Sequence, residues 1–305
     1  MKNLEERGHL LTEQINPNSH NLDQLSSLEL VELFNREDAQ TIAAIAQARF
    51  ELAKTIDIAA ESLRQGGRLF YVGAGTSGRL GVLDAAECPP TFCSPPELVQ
   101  GIIAGGAGAL IRSSEDLEDL AEDGASAIAQ RQITKLDVVV GITAGGTTPF
   151  VQGALLAAQA RGATTIFMAC VPAEQVSINV DIDIRLVVGP EILAGSTRLK
   201  AGTVTKMALN IISTGVMVKL GKVYGNRMVD VAVTNTKLRD RALRILQDLT
   251  DLSREAAGYL LEQSGRSVKL ALVMHWTHLD KEKAESLLTE NQGNLRQAVQ
   301  SFQKQ

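Results

Sequence analysis

Between residues 66 and 222, short runs of apolar residues alternate with longer stretches that carry apolar residues at helical spacing. Five such runs occur, at 68–72, 98–104, 137–142, 164–169 and 182–188. Runs of this length are typical of strands buried on both faces, and their alternation with helices is typical of a parallel sheet. The pattern therefore predicts an α/β domain with a five-stranded parallel sheet flanked by helices.

The two ends of the chain predict helices only. At the N-terminal end a polar leader precedes a helix start at Ser26 and an alanine-rich amphipathic helix over 39–63. At the C-terminal end helices are predicted at 241–262, 267–275, 280–288 and 294–302, with Gly265 and Gly293 at the joints. We divide the chain into an N-terminal helical segment (1–54), an α/β domain (55–222) and a C-terminal helical bundle (235–305).

Composition and charge agree with an α/β protein and argue against nucleic-acid binding. Hydrophobic residues make up 45% of the chain but aromatic residues only 4%, which suits helices packed on a parallel sheet. The net charge of −5 comes with scattered Lys and Arg residues, which argues against a nucleic-acid partner.

The cysteines and histidines predict neither a disulfide framework nor a metal site. Cys88, Cys93 and Cys170 lack metal-ligand spacing, and the four histidines are not placed to complete a zinc site with them. The first ten residues lack the apolar core of a signal peptide, and we expect no stretch to reach the roughly 18 apolar residues that a membrane span needs. These features predict a cytoplasmic protein with reduced thiols, no structural metal and no membrane partner.

One glycine-rich loop follows the first predicted strand and opens a predicted helix. Its sequence is GAGTSGR, at 73–79. Backbone N–H groups and the positive end of the helix dipole at such a turn suit a phosphate. The candidate substrate-binding residues of this loop are Gly75, Thr76, Ser77, Gly78 and Arg79.

The same loop matches the GxGxxG pattern of dinucleotide sites, so that alternative has to be weighed. The second predicted strand ends in two glycines, at 105 and 106, where a ribose-binding acid would be expected. The adjacent hydroxyls in the loop favour a phosphate monoester. A structural alternative, in which the glycines only form a tight turn, also stays open.

Two further loops are rich in glycine and hydroxyl groups. They read TAGGTTP at 143–149, after the third strand, and GSTRLKAGT at 195–203, after the fifth. Open parallel sheets bind ligands at the carboxyl ends of their strands, where all three loops lie. They add Thr148, Ser196, Thr197 and Lys200 to the candidate substrate-binding residues, with Arg198 or Lys200 as a cation for a phosphorylated small molecule.

These motifs, together with LDAAECPPT at 83–91 and GPE at 189–191, resemble the N-acetylmuramic acid 6-phosphate etherase family, which shares its SIS fold with glucokinase regulatory proteins. The likeness runs from residue 35 to the end of the chain. It implies a flavodoxin-like three-layer sandwich, a homodimer without metal or organic cofactor, and a C-terminal bundle similar to a UBA domain, around 271–298. It also implies cleavage of a lactyl ether to D-lactate and N-acetylglucosamine 6-phosphate in the recycling of cell-wall peptidoglycan sugars.

The chain departs from the family pattern in the second loop. The family usually has Ser-Gly-Arg-Thr-Pro there, whereas this chain has Gly145 and Thr147 in place of the serine and the arginine. The departure bears on phosphate affinity and substrate preference.

The resemblance also assigns two catalytic carboxylates, an acid at Glu87 and a base at Glu118. We expect Glu87 at a helix C-terminus that Pro89 and Pro90 end, where the dipole would raise its pKa. We expect Glu118 early in a helix that starts at Ser113 and Ser114, although acidic residues in a first turn are often only solvated.

The position of Glu87 raises a geometric question. Ten helical residues beyond Ser77 correspond to about 15 Å, further than a hexose spans. Either the helix breaks near Gly81 or Glu87 serves the partner subunit's site. Two other functions stay open: a sugar-phosphate-sensing regulator, which needs no acid and base, and an isomerase of phosphorylated sugars.

Overall fold

The computed structural model describes residues 7–112 and 117–304. The chain forms two compact units, of which the first combines Met1–Ala86 with Glu97–Ser213 and the second combines Glu87–Pro96 with Thr214–Gln305. Ser113 and Ser114, the expected start of the Glu118 helix, lie outside the described residues.

The first unit is built on a five-stranded parallel sheet, as predicted. Its strands are β1 (Leu69–Gly73), β2 (Val99–Ile103), β3 (Val138–Thr143), β4 (Thr164–Ala169) and β5 (Ile182–Arg185). They lie in the order β2-β1-β3-β4-β5, and every pairing is parallel. The strand order reverses between β1 and β3, which is the position where open α/β sheets bind their ligands.

The central strands form because their side chains are buried on both faces. Every residue of β1 and of β3 is buried. On one face Phe70, Val139 and Phe167 pack with Phe150 and Leu155 in a single hydrophobic cluster. The two edge strands, β2 and β5, are shorter than predicted, and β5 alternates buried with half-buried positions, as expected at the edge of a sheet.

Helices cover the sheet and precede it. They are α1 (Ser27–Asp38), α2 (Gln40–Gln47), α3 (Arg49–Arg64), α4 (Gly75–Phe92), α5 (Ala121–Gln130), α6 (Pro149–Gln159) and α7 (Lys200–Lys219). The Ser26 hydroxyl and the Glu29 carboxylate form a capping box at the start of α1. The single helix predicted over 39–63 is wrong, because Ala48 ends α2 and a new helix starts at Arg49.

The helix α7 corrects the expectation that no stretch reaches membrane-span length. By length and composition its 20 residues would suffice to cross a membrane, but 56% of its most apolar window is buried inside the protein. A mostly buried core helix passes the same test of composition.

The second unit is a helical bundle, as predicted. Its complete helices are α8 (Thr236–Thr250), α9 (Arg254–Gln263), α10 (Val268–Thr277), α11 (Lys281–Glu290) and α12 (Leu295–Gln303). The single helix predicted over 241–262 is wrong, since Asp251 adopts φ +57° and Ser253 caps a new helix. Gly265 and Gly293 both have positive φ at the joints.

The polar leader is attached to the first unit by side-chain hydrogen bonds. The Asn16 amide donates to the Glu37 carboxylate (2.7 Å) and to the Pro190 carbonyl (3.1 Å). The Ser19 hydroxyl donates to the Ile192 carbonyl at 2.7 Å. Since Asn16 and Ser19 are both buried, this N-terminal segment is part of the folded unit.

Candidate functional site

The β1–α4 loop is compact because two backbone segments touch at glycines. A Cβ on Gly78 would lie 2.6 Å from the Gly73 carbonyl oxygen and 2.6 Å from Ile103 Cγ1. These glycines are therefore explained by packing alone. Thr76 and Ser77 are half-buried in the first turn of α4.

The β3–α6 loop lies beside the β1–α4 loop. In the β1–β3 pairing Gly73 is in register with Ile142, so both loops leave the sheet at neighbouring points. The hydroxyls of Thr143 and Thr148 share a hydrogen bond of 2.8 Å, and the Gly146 N–H donates to the Thr143 hydroxyl. Half-buried Thr148 therefore stands at the start of α6, next to the strand-order reversal.

The structure brings Glu118 to the start of α6. The Phe150 N–H donates to the Glu118 carbonyl at 3.0 Å, two residues after Thr148. Glu118 is half-buried and lies in a turn, whereas α5 begins only at Ala121. Glu118 therefore precedes α5, while the expected helix start at Ser113 and Ser114 lies outside the described residues. The nearness to Thr148 comes from the packing of α5 on α6.

The first two backbone N–H groups of α7 are bonded to a buried carboxylate of the same chain. The buried Glu191 side chain accepts from the Lys200 and Ala201 N–H groups, both at 2.9 Å. Burial raises the pKa of Glu191, although these N–H groups and the charge of Lys200 oppose the shift. In the loop just before α7, Ser196 and Thr197 are half-buried, but the first two amides of the helix are already occupied.

Lys200 has an internal partner. Its ammonium lies 2.8 Å from the Glu37 carboxylate, and the two side chains are 0% and 2% exposed. Burial alone would raise the pKa of Glu37, but the hydrogen bonds from Lys200, Asn16 and Asn18 lower it overall. Lys200, which the sequence places among the substrate-binding residues, is therefore fully buried in an ion pair between the start of α7 and α1.

Arg198 is the other candidate cation of the 195–203 loop. It is exposed and lines a cavity of about 410 Å³ together with Thr76. The same cavity is lined by Thr203, the last residue of the 195–203 loop, and by Lys206 and Asn210 further along α7. Their spacing of three and four residues puts them on one helix face, a signal that was available in the sequence.

Arg79 points to a backbone group. Its guanidinium donates to the Arg112 carbonyl at 3.4 Å. Gly75 has a positive φ of 51°, which fits the sharp turn into α4.

Glu87 lies in the last third of α4 and is exposed. The helix continues through Pro89 and Pro90 to Phe92, so the expectation that the prolines end it is wrong. The helix also runs unbroken through Gly81. A break at Gly81 therefore does not bring Glu87 closer to Ser77.

The thiols and the acidic groups provide no metal cluster in the described residues. Among residues 7–112 and 117–304, no group of three or more His, Cys, Asp or Glu side chains is arranged to hold an ion. Cys88 and Cys170 are buried and form no disulfide with one another or with Cys93, and burial raises the pKa of Cys170 to about 12.

Two family models match this chain. The glucokinase regulatory protein N-terminal SIS domain matches residues 51–159, and the C-terminal lid domain of glucokinase regulatory protein matches residues 225–269. Solved structures of similar fold include an Escherichia coli CFT073 protein in a ligand complex (TM-score 0.47, 17% identity, 66% of this chain and 97% of that one). A phosphoheptose isomerase from Francisella tularensis has a TM-score of 0.39 and 18% identity, over 62% of this chain and 100% of that one.

Full-length relatives are much more similar in sequence. The N-acetylmuramic acid 6-phosphate etherase of Trichormus variabilis is 79% identical over 305 residues, which cover 100% of this chain and 99% of the relative. The protein of the same name from Nostoc punctiforme is 78% identical over 303 residues, 99% of this chain and 98% of the relative. A third, from Trichodesmium erythraeum, is 72% identical over 301 residues, 99% of this chain and 98% of the relative.

Proposed function

The chain belongs to the N-acetylmuramic acid 6-phosphate etherase family, and from this premise we propose that it works as a carbon–oxygen lyase. The enzyme cleaves the lactyl ether at C3 of N-acetylmuramic acid 6-phosphate. The products are N-acetylglucosamine 6-phosphate and D-lactate. The reaction serves the recycling of cell-wall sugars in the cytoplasm, a compartment that suits cysteines without disulfides.

The proposed reaction is an elimination followed by addition of water. In the open-chain aldehyde the C2 proton is acidic, because the carbonyl stabilises the carbanion. A base removes this proton, the C3–O bond breaks, and an acid protonates the departing lactate oxygen. Water then adds at C3 of the unsaturated aldehyde: the carboxylate left by the acid takes a proton from this water, and the protonated base returns its proton to C2.

The observation that carries this proposal is the convergence of hydroxyl groups at the strand-order reversal, with the backbone of Glu118 bonded nearby. Thr76 and Ser77 at the end of β1 and Thr148 at the end of β3 suit the 6-phosphate. Glu118 is tied by its carbonyl to the residue two positions after Thr148. A base next to the phosphate loops, but separate from them, suits proton abstraction from the sugar of a bound phosphosugar.

We assign the acid to Glu87 and its site of action to the partner subunit in a homodimer. Because α4 is continuous, ten residues from Ser77 correspond to about 15 Å of helix. Glu87 is exposed, so its carboxyl group is accessible to a second copy of the chain. No cofactor takes part in the proposed steps, since both proton transfers use carboxyl groups.

The first test is the release of D-lactate from N-acetylmuramic acid 6-phosphate by the wild type and by Glu87→Gln and Glu118→Gln. Loss of a general acid or base should lower kcat by about a hundredfold to ten-thousandfold. Glu122→Gln, an exposed acid in the first turn of α5, is the matched control and should retain activity.

Isotopes distinguish the proposed mechanism from its rivals. In ¹⁸O-labelled water, elimination and addition put the label on C3 of the sugar, whereas attack on the lactyl carbon puts it in lactate. In deuterated water the product should carry deuterium at C2, and Glu118→Gln should abolish this exchange. If the protein binds the phosphosugar tightly but releases no lactate, it is a sensor of phosphorylated sugars and not an etherase.

A further inference from the structure

A cavity that shares Thr76 with the β1–α4 loop opens between α4 and α7. Its volume of about 410 Å³ is in the range of small-molecule sites. The wall on α4 includes Thr76, and the wall on α7 includes Thr203 and Lys206, with Arg198 at the entrance to that helix. A Cβ on Gly202 would lie 3.4 Å from Thr76 Cγ2, so the two walls are in contact beside the first turn of α4.

Two cations face this cavity, and each has donors for a ligand. Arg198 is exposed, and its guanidinium makes no ion pair with any residue in the described part of the chain. The Lys206 ammonium lies 2.8 Å from the buried Asp84 carboxylate and donates to Asn210 at 2.6 Å. An ammonium has three protons, so a third remains for a ligand while Asp84 and Asn210 hold the group in place.

The substrate of the proposed reaction carries two anionic groups, and the sugar product carries only one. The phosphate stays on the sugar, whereas the lactyl carboxylate leaves with D-lactate. We propose that the cavity between α4 and α7 binds the lactyl carboxylate through Arg198 and Lys206, an assignment that rests on the function proposed above. A guanidinium fork beside an ammonium matches the two oxygens of a carboxylate.

The location of the cavity supports the assignment of the phosphate and the lactyl carboxylate to different residues. Ser77 follows Thr76 in the first turn of α4, and Thr148 starts α6 beside the paired ends of β1 and β3. The cavity is bordered by Thr76 and by α7. Thr76 is thus shared by both regions. A substrate anchored at its phosphate can therefore extend its C3 substituent past Thr76 toward the two cations, which orients the leaving group and favours sugars that carry it.

The test compares substrate turnover with binding of the lactate-free product. Arg198→Gln changes an exposed residue and should leave the fold intact. It should lower kcat/KM for N-acetylmuramic acid 6-phosphate by about tenfold to a hundredfold, mainly through KM, because one charge-assisted contact is lost. The inhibition constant of N-acetylglucosamine 6-phosphate should change by less than about threefold.

Lys206 needs a paired variant, since Lys206→Met alone would take this cation away from the buried Asp84 carboxylate. Lys206→Met combined with Asp84→Asn removes both charges and should show the same selective loss as Arg198→Gln, with unchanged product inhibition. Lys237→Met, an exposed lysine on α8, is the control for the loss of one positive charge.

The outcomes separate this inference from the proposed function. An equal loss of affinity for substrate and product would assign the cations to the phosphate and overturn the carboxylate subsite. Unchanged kinetics in both variants would also overturn it. A wild-type protein that releases no lactate would refute the proposed function itself, whatever the variants do.

Discussion

Replacing Lys200 by Met removes the cation from a buried network and leaves its anion behind. The ammonium is fully buried, and besides Glu37 it donates to the Gln40 amide oxygen at 3.4 Å. In Lys200→Met the Glu37 carboxylate would keep the amide groups of Asn16 and Asn18, at 2.7 and 2.8 Å, but would lose its only charged partner in the described residues.

The expected cost is large because the remaining charge stays buried. Removing one partner of a buried ion pair typically destabilises a protein by about 3–5 kcal/mol. The double variant Lys200→Met with Glu37→Gln has no net buried charge, and a neutral amide can still accept from Asn16. We therefore expect the double variant to regain at least ~2 kcal/mol over the single one.

The measurement is urea unfolding followed by circular dichroism, with D-lactate kinetics on the same samples. Lys237→Met serves as the exposed-lysine control and should change stability by less than about 0.5 kcal/mol. KM of the Lys200→Met variant should stay close to that of the wild type. A loss below about 1 kcal/mol combined with a large rise in KM would refute this reasoning and return Lys200 to the substrate site.

Two further outcomes test the packing of the first unit. Gly78→Ala should destabilise it by about 1–3 kcal/mol in urea unfolding, because the new Cβ meets the Gly73 carbonyl, whereas Gly108→Ala, with nothing within 4 Å, should have a much smaller effect. Burial alone would raise the pKa of Asp137, but hydrogen bonds from Arg68 and Thr134 lower it overall. Since the folded pKa is lowered, this stabilisation is complete above the unfolded value of about 3.9 and is lost as pH falls through the folded value. Between about pH 5 and 3 the wild type should therefore lose more unfolding free energy than Asp137→Asn, which should be the less stable of the two at pH 7.

Local patterns predict the sheet well because a strand buried on both faces is a continuous run of apolar residues. The run at 164–169 matches β4 residue for residue, and the other central strands shift by one position. Helix breaks were missed at Ala48 and Asp251, where no Gly or Pro marks the joint. There the chain turns because tertiary packing overrides local helix propensity.

The site was predictable only where its chemistry is local. The hydroxyls of Thr76 and Ser77 follow from one loop, and their place at the strand-order reversal follows from the topology. The partner of Lys200 is 163 residues away in sequence, and that of Lys206 is 122 residues away. Such pairings depend on the three-dimensional packing of helices, which no spacing rule expresses.

The N-terminal segment can be regarded as a peptide ligand that the chain carries for itself. Asn16 and Ser19 fill the acceptors of Pro190 and Ile192, so cutting the chain ahead of α1 would expose those carbonyls and leave Glu37 with fewer donors. A shortened enzyme supplemented with a synthetic peptide of residues 7–25 would form a two-piece system. Its activity would then depend on peptide concentration, which makes this segment a natural place for an engineered switch.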